Sequence, residues 1–90
     1  MVSATTTIKN ASGLHARPAS MFVLKAKGFT SDISIEDVDK GSAPANAKSI
    51  MMILAQGMGC GTTVRITAKG PDERAAVDSL IDLLESGCGE

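Results

Sequence analysis

Ninety residues, 43% of them hydrophobic and 21% charged, make one small globular domain spanning 1–90 rather than a disordered chain. A net charge of −1, with Phe22 and Phe29 as the two aromatic residues, offers neither the basic patch nor the stacking platform of a direct nucleic-acid binder. There is no apolar run long enough for membrane insertion and no basic-then-apolar leader in Met1–Thr7, so a cytoplasmic protein is expected, with Cys60 and Cys88 as reduced thiols.

Thr5-Thr6-Thr7-Ile8 is β-branched and predicts a first strand. A loop over Asn10–Gly13 leads to His15, the single histidine of the chain. From Pro18 to Lys27 the residues Ala19, Phe22, Val23 and Ala26 recur at helical spacing, predicting a helix closed by Gly28 in the usual C-terminal position. Ser31–Val38 alternates and predicts a half-buried strand. A turn over Asp39–Ser42 and a weak strand through Ala43 and Ala45 follow, and Pro44 puts that strand at an edge. Ala47–Gln56 reads as a second helix ended by Gly57. Thr62–Ala68 reads as a strand with Val64, Ile66 and Ala68 on one face. Gly70-Pro71-Asp72-Glu73 opens a last helix whose apolar stripe is Val77, Leu80, Ile81 and Leu84, and residues 86–90 should fray. The order β-α-β-β-α-β-α predicts an α+β fold, with an antiparallel sheet covered on one side by helices. The last strand should slot between the first two.

The chemistry gathers at Gly13-Leu14-His15-Ala16-Arg17-Pro18-Ala19. Proline suits a first helical turn, whose N–H groups have no intrahelical partner. Those N–H groups, the helix dipole and the Arg17 guanidinium would converge on an anion beside the imidazole. A lone histidine is also compatible with a plain capping or solvated role. A metal-ligand role lacks partners at ligand spacing, so no metal is expected. As a nucleophile, neutral imidazole can attack a phosphoryl group, with oxygen charge neutralised by Arg17 and by the N–H groups of Ala16 and Arg17. Ser12 is a candidate hydroxyl at the rim, or a helix cap. No paired carboxylates lie near the histidine in sequence, and a serine elbow and a glycine-rich nucleotide loop are missing, which points to a surface relay rather than a complete enzyme.

Opposite the buried stripe of the first helix lie Arg17, Ser20, Leu24 and Lys27, and Leu24 has no core to enter. The second helix is apolar almost all round at Ile50-Met51-Met52-Ile53-Leu54-Ala55, more than one buried side can use. Exposed apolar residues there would mark an interaction surface of the adaptable kind that methionine makes.

The histidine motif closely resembles that of HPr, the histidine-containing phosphocarrier of the bacterial phosphoenolpyruvate:sugar phosphotransferase system. Asn46-Ala47-Lys48-Ser49-Ile50-Met51 resembles the family's regulatory serine region, and the length, element order and ending Gly87-Cys88-Gly89-Glu90 agree over essentially the whole chain. The resemblance implies an open-faced β-sandwich of four antiparallel strands under three helices. It implies a monomeric carrier without cofactor, which takes phosphate on His15 Nδ1 from phospho-Enzyme I and passes it to Enzyme IIA, with Arg17 as the neutralising arginine. It further implies phosphorylation of Ser49 by an HPr kinase/phosphorylase, with a catabolite-control transcription factor as partner. Placement by the family turns Ile50, Met51 and Leu54 outward and Ile53 inward, so that Leu24, Ile50, Met51 and Leu54, with Ser20 and rimmed by Arg17 and Lys27, form the docking surface. Two departures from the kinase-regulated pattern are Met52, where glycine is usual, and a longer loop over Asp39–Ala45. The rival reading is a regulatory HPr-like binding protein of catabolite repression, or of a nitrogen-related phosphorelay, that moves no sugar.

Overall fold

The strongest strand of the sequence becomes the centre of the sheet. In the computed structural model, which describes residues 1–9, 13–14, 16–41 and 43–87 (for Ala16 the backbone alone), the elements are strands β1 (Val2–Thr7), β2 (Asp32–Asp37), β3 (Ala45–Asn46) and β4 (Thr63–Lys69), with helices α1 (Ala16–Lys27), α2 (Ile50–Gln56) and α3 (Glu73–Glu85). Ser12, His15 and Cys88 lie outside the described residues. The sheet order is β1-β4-β2-β3, every neighbour antiparallel. Because β1 and β2 both oppose β4, they run parallel to one another, which requires the helical crossover that α1 supplies.

Register explains which face is covered. Val64, Ile66 and Ala68 of β4 stand opposite Thr6, Ala4 and Val2 of β1, and opposite Asp37, Ile35 and Ile33 of β2. These side chains face the helices; period-two alternation sends Thr5, Arg65 and Glu36 to the uncovered face, where Arg65 Nη1 donates to Glu36 Oε1 at 2.9 Å. Phe22, Val23 and Ala26 of α1, Ile53 of α2, and Ala76, Val77, Leu80 and Leu84 of α3 close the core over that inner face. The fold is thus the expected open-faced sandwich, with β4 between β1 and β2.

Several local expectations are corrected. α2 begins at Ile50, not Ala47, because polar groups take the preceding residues into a turn. Asn46 Oδ1 accepts from Lys48 N–H at 2.9 Å and Asn46 C=O accepts from Ser49 N–H at 3.0 Å. Ser49 then caps the helix from an extended backbone, its Oγ accepting from Met52 N–H at 3.3 Å. Gly28 follows α1 but is not left-handed; the helix tightens instead through Gly28 N–H to Lys25 C=O at 3.1 Å. Gly57 does take the left-handed cap, at φ 63°. In α3 the inward stripe uses Ala76, while Ile81 is half-buried.

Two carboxylates depart from simple patterning. Asp72 stands at the cap position of α3 yet makes no side-chain cap bond. Its oxygens reach across to the segment before β2, accepting from Thr30 N–H at 2.9 Å, Ser31 N–H at 3.0 Å and Ser31 Oγ–H. The Ser31 hydroxyl first, and the Thr30 N–H next, hold its pKa down to about 2 from 3.8. Asp37 falls on the inward face of β2 and is fully buried.

Candidate functional site

The described part of the histidine motif is built from its two flanks. On the N-terminal side, Leu14 is buried in the core and donates its N–H to Met58 C=O at 2.8 Å. Gly13 lies beside it at φ +71°, where a Cβ would sit 2.6 Å from Gly59 Cα and 2.7 Å from Met58 C=O. Only glycine meets both demands, the left-handed backbone and the absence of a side chain. The turn after α2 also binds Ile8 twice, through Ile8 N–H to Thr62 C=O at 2.9 Å and Gly61 N–H to Ile8 C=O at 2.8 Å. One short segment, 58–62, therefore braces the chain on both sides of residues 10–12.

On the C-terminal side, α1 opens at Ala16, immediately after the histidine in the chain. Arg17 is its second residue and is exposed; Pro18 is the third, buried, still within the turn whose N–H groups lack intrahelical partners. That first turn carries no acidic side chain, so the positive end of the α1 dipole is left for an external anion, while Lys25 and Lys27 sit at the opposite end.

Ser20, Leu24 and Lys27 are exposed as the periodicity predicts, Leu24 at 70%. Met51 is 78% exposed and Leu54 42%, while Ile53 points into the core. Ile50 corrects the outward placement: it is half-buried and packs against the core. It lines a shallow cleft of about 250 Å³ with Ser20, Val23 and Leu24, so the faces of α1 and α2 form one continuous apolar surface. Sequence reasoning did not single out Met21 and Met52, which are also exposed, at 38% and 45%. The signal for Met52 lay in the all-round apolar character of α2; Met21 lies just off the buried stripe of α1. Cys60 is exposed with a free thiol. Among the described residues, there is no cluster of metal-ligating side chains and no helix long and apolar enough to cross a membrane.

The chain forms a small open-faced α+β sandwich in which α1 has an acid-free first turn and exposed apolar residues line α1 and α2. Residues 2–86 match the sequence model of the PTS HPr component phosphorylation site. The chain therefore belongs to the HPr family, the phosphocarriers of the phosphotransferase system. It is 42% identical over 88 residues to the multiphosphoryl transfer protein of Vibrio cholerae, a match covering 98% of this chain but 22% of that much longer relative. It is 41% identical over 85 residues to the HPr-like protein Crh of Halalkalibacterium halodurans, covering 94% of this chain and 98% of Crh. Among solved structures, HPr from Thermoanaerobacter tengcongensis superposes with a TM-score of 0.92 at 46% identity, covering 100% of this chain and 98% of that one.

Proposed function

We propose that His15 accepts a phosphoryl group on Nδ1 from phospho-Enzyme I and hands it to a histidine of a sugar-specific Enzyme IIA. The observation that carries this reading is the opening of α1 directly after the histidine, with exposed Arg17 in an acid-free first turn. In the transfer, the Nδ1 lone pair of neutral imidazole attacks phosphorus. The N–P bond of the donor breaks, and its electron pair returns to the donor's imidazole. Little covalent work is left to the protein beyond positioning and charge neutralisation. Arg17 and the N–H groups of Ala16 and Arg17 serve the phosphoryl oxygens, and Ser12 is a further hydroxyl for the rim. The bracing of Leu14 and Gly13 by 58–59 supports the positioning half of this account.

The docking surface comprises Leu24, Ile50, Met51 and Leu54 with Ser20, Arg17 and Lys27, joined by Met21 and Met52. An apolar centre with a basic rim suits acidic partner surfaces met in turn. We assign the protein to the cytoplasm as a monomeric carrier. Ser49 is the proposed second phosphorylation site, for an HPr kinase/phosphorylase using ATP, with a catabolite-control transcription factor as reader. Its support is a half-exposed hydroxyl on the cap of the helix that bears the methionines. The similarity to Crh favours a second reading, a regulatory role in catabolite repression, against which stands His15 itself.

Incubation with phosphoenolpyruvate and Enzyme I should add one acid-labile phosphate, detected by mass and absent from His15→Ala. No such phosphate on the wild-type chain removes the carrier reading. ATP and the kinase, with Ser49→Ala as control, test the regulatory site in the same way through an acid-stable phosphate.

A further inference from the structure

Asp37 is a buried carboxylate on the inward face of β2. It occupies the inward register position after Ile33 and Ile35, opposite Val64, where an apolar residue would continue the pattern. Its Oδ1 accepts from Lys40 N–H at 3.0 Å, while its buried Oδ2 has no hydrogen-bond partner among the described residues. A half-satisfied buried carboxylate is a poor way to stabilise a core, and apolar replacements of such groups are often neutral or stabilising.

What Asp37 does instead is face the Lys40 ammonium, 4.0 Å from Oδ2. Lys40 Nζ donates at 3.4 Å to the C=O of Gln56, the last residue of α2. Gln56 reciprocates: its Nε2 donates to Ala43 C=O at 2.9 Å. The same loop is tied to β4 by Asp39 Oδ2, which accepts Thr63 N–H at 3.0 Å. The segment after β2 and the end of α2 thus grip each other in both directions. This is the stretch that the sequence marks as longer than expected.

A helix as short as α2 gains from such a grip. Its seven residues are far too few for a helix to hold itself, and Ile53 is its one fully buried side chain. Besides the packing of Ile53 and Ile50, its ends are tied down by the Ser49 cap, the left-handed Gly57 and the Lys40–Gln56 contact. We propose that Lys40, backed by the buried Asp37 carboxylate, is a positioning residue for the partner face, holding the end of α2 so that Met51, Met52 and Leu54 present a fixed surface. The inference rests on reading α2 as part of that face.

The test uses the full chain as Lys40→Met, Asp37→Asn and Lys40→Arg. For Lys40→Met and Asp37→Asn, the KM for transfer from phospho-Enzyme I should rise about three- to tenfold with kcat within about twofold. Amide exchange at Ile53–Gln56 should quicken about three- to tenfold while β4 amides keep wild-type rates. Lys40→Arg should restore both. Unchanged KM, or exchange that quickens equally throughout the domain, overturns the proposal. If the wild-type chain takes no phosphate, the carrier reading fails by itself. The exchange comparison still decides the grip: faster α2 with unchanged β4 upholds it, and unchanged α2 overturns it.

Discussion

The two sides of the candidate site are built on opposite plans. The flank of the histidine motif is tight: Leu14 is sunk in the core and Gly13 touches Gly59 so closely that no side chain fits. The proposed partner face is more open, a seven-residue helix with one fully buried side chain and exposed methionines. A reacting group must be held within fractions of an ångström, whereas a surface that serves several partners gains from side chains that can repack. Close packing is concentrated beside the proposed chemistry, while the proposed recognition face keeps exposed side chains that can repack on a helix held at its ends.

This contrast can be broken, starting with the largest expected effect. Leu14→Ala should destabilise the domain by about 2–5 kcal/mol, the range for emptying a buried leucine site. Denaturant unfolding measures it, and a loss below about 1 kcal/mol would deny the flank its core role. Gly13→Ala should cost about 2–3 kcal/mol from its left-handed backbone and the overlap with Gly59. Gly59→Ala, whose Cβ meets nothing within 4 Å, should cost less than about 1 kcal/mol, and equal losses would refute the steric account.

Removing the α2 cap with Ser49→Ala should cost about 1 kcal/mol, read from the same unfolding curves. A loss as large as that of Leu14→Ala would mean that α2 is as integral as the motif flank. Met51→Glu should change stability least, by under about 0.5 kcal/mol, while weakening transfer from phospho-Enzyme I. Wild-type transfer in that variant would remove Met51 from the partner face.

Acid sharpens the picture of the scaffold beneath both regions. Asp72 has a depressed pKa of about 2 in the folded state, against an unfolded carboxylate near 3.8, so the folded state favours the ionised form. Its contribution is present above about pH 4 and fades as pH falls toward 2. The melting-temperature advantage of wild type over Asp72→Asn should therefore shrink across that window; an advantage independent of pH would show that charge is not what Asp72 supplies.

Much of this was legible in the chain. The period of Ala19, Phe22, Val23 and Ala26 marked the buried face of α1, and the alternation of Val64, Ile66 and Ala68 marked the central strand, because both periods are imposed by backbone geometry alone. The motif around His15 gave the candidate chemistry in the same way, since an imidazole, a guanidinium and a proline in sequence already describe a helix mouth for an anion. The over-apolar α2 announced a surface without saying which of its residues would compose it.

Other features belonged to tertiary structure. The start of α2 depends on Asn46 turning the chain through Lys48 and Ser49, a competition between local hydrogen bonds that periodicity does not register. Ile50 turned half inward because α1 lies beside it, and Met21 was left 38% exposed. Asp72 abandoned its cap for a segment 41 residues away at Ser31, and Asp37 was buried by a register set on β4. Sequence by itself determined the elements, their inner faces and the candidate motif, all of which follow from near neighbours along the chain. The fold decided which polar groups meet across long separations and which apolar ones are left outside, since those outcomes depend on what each surface finds opposite it.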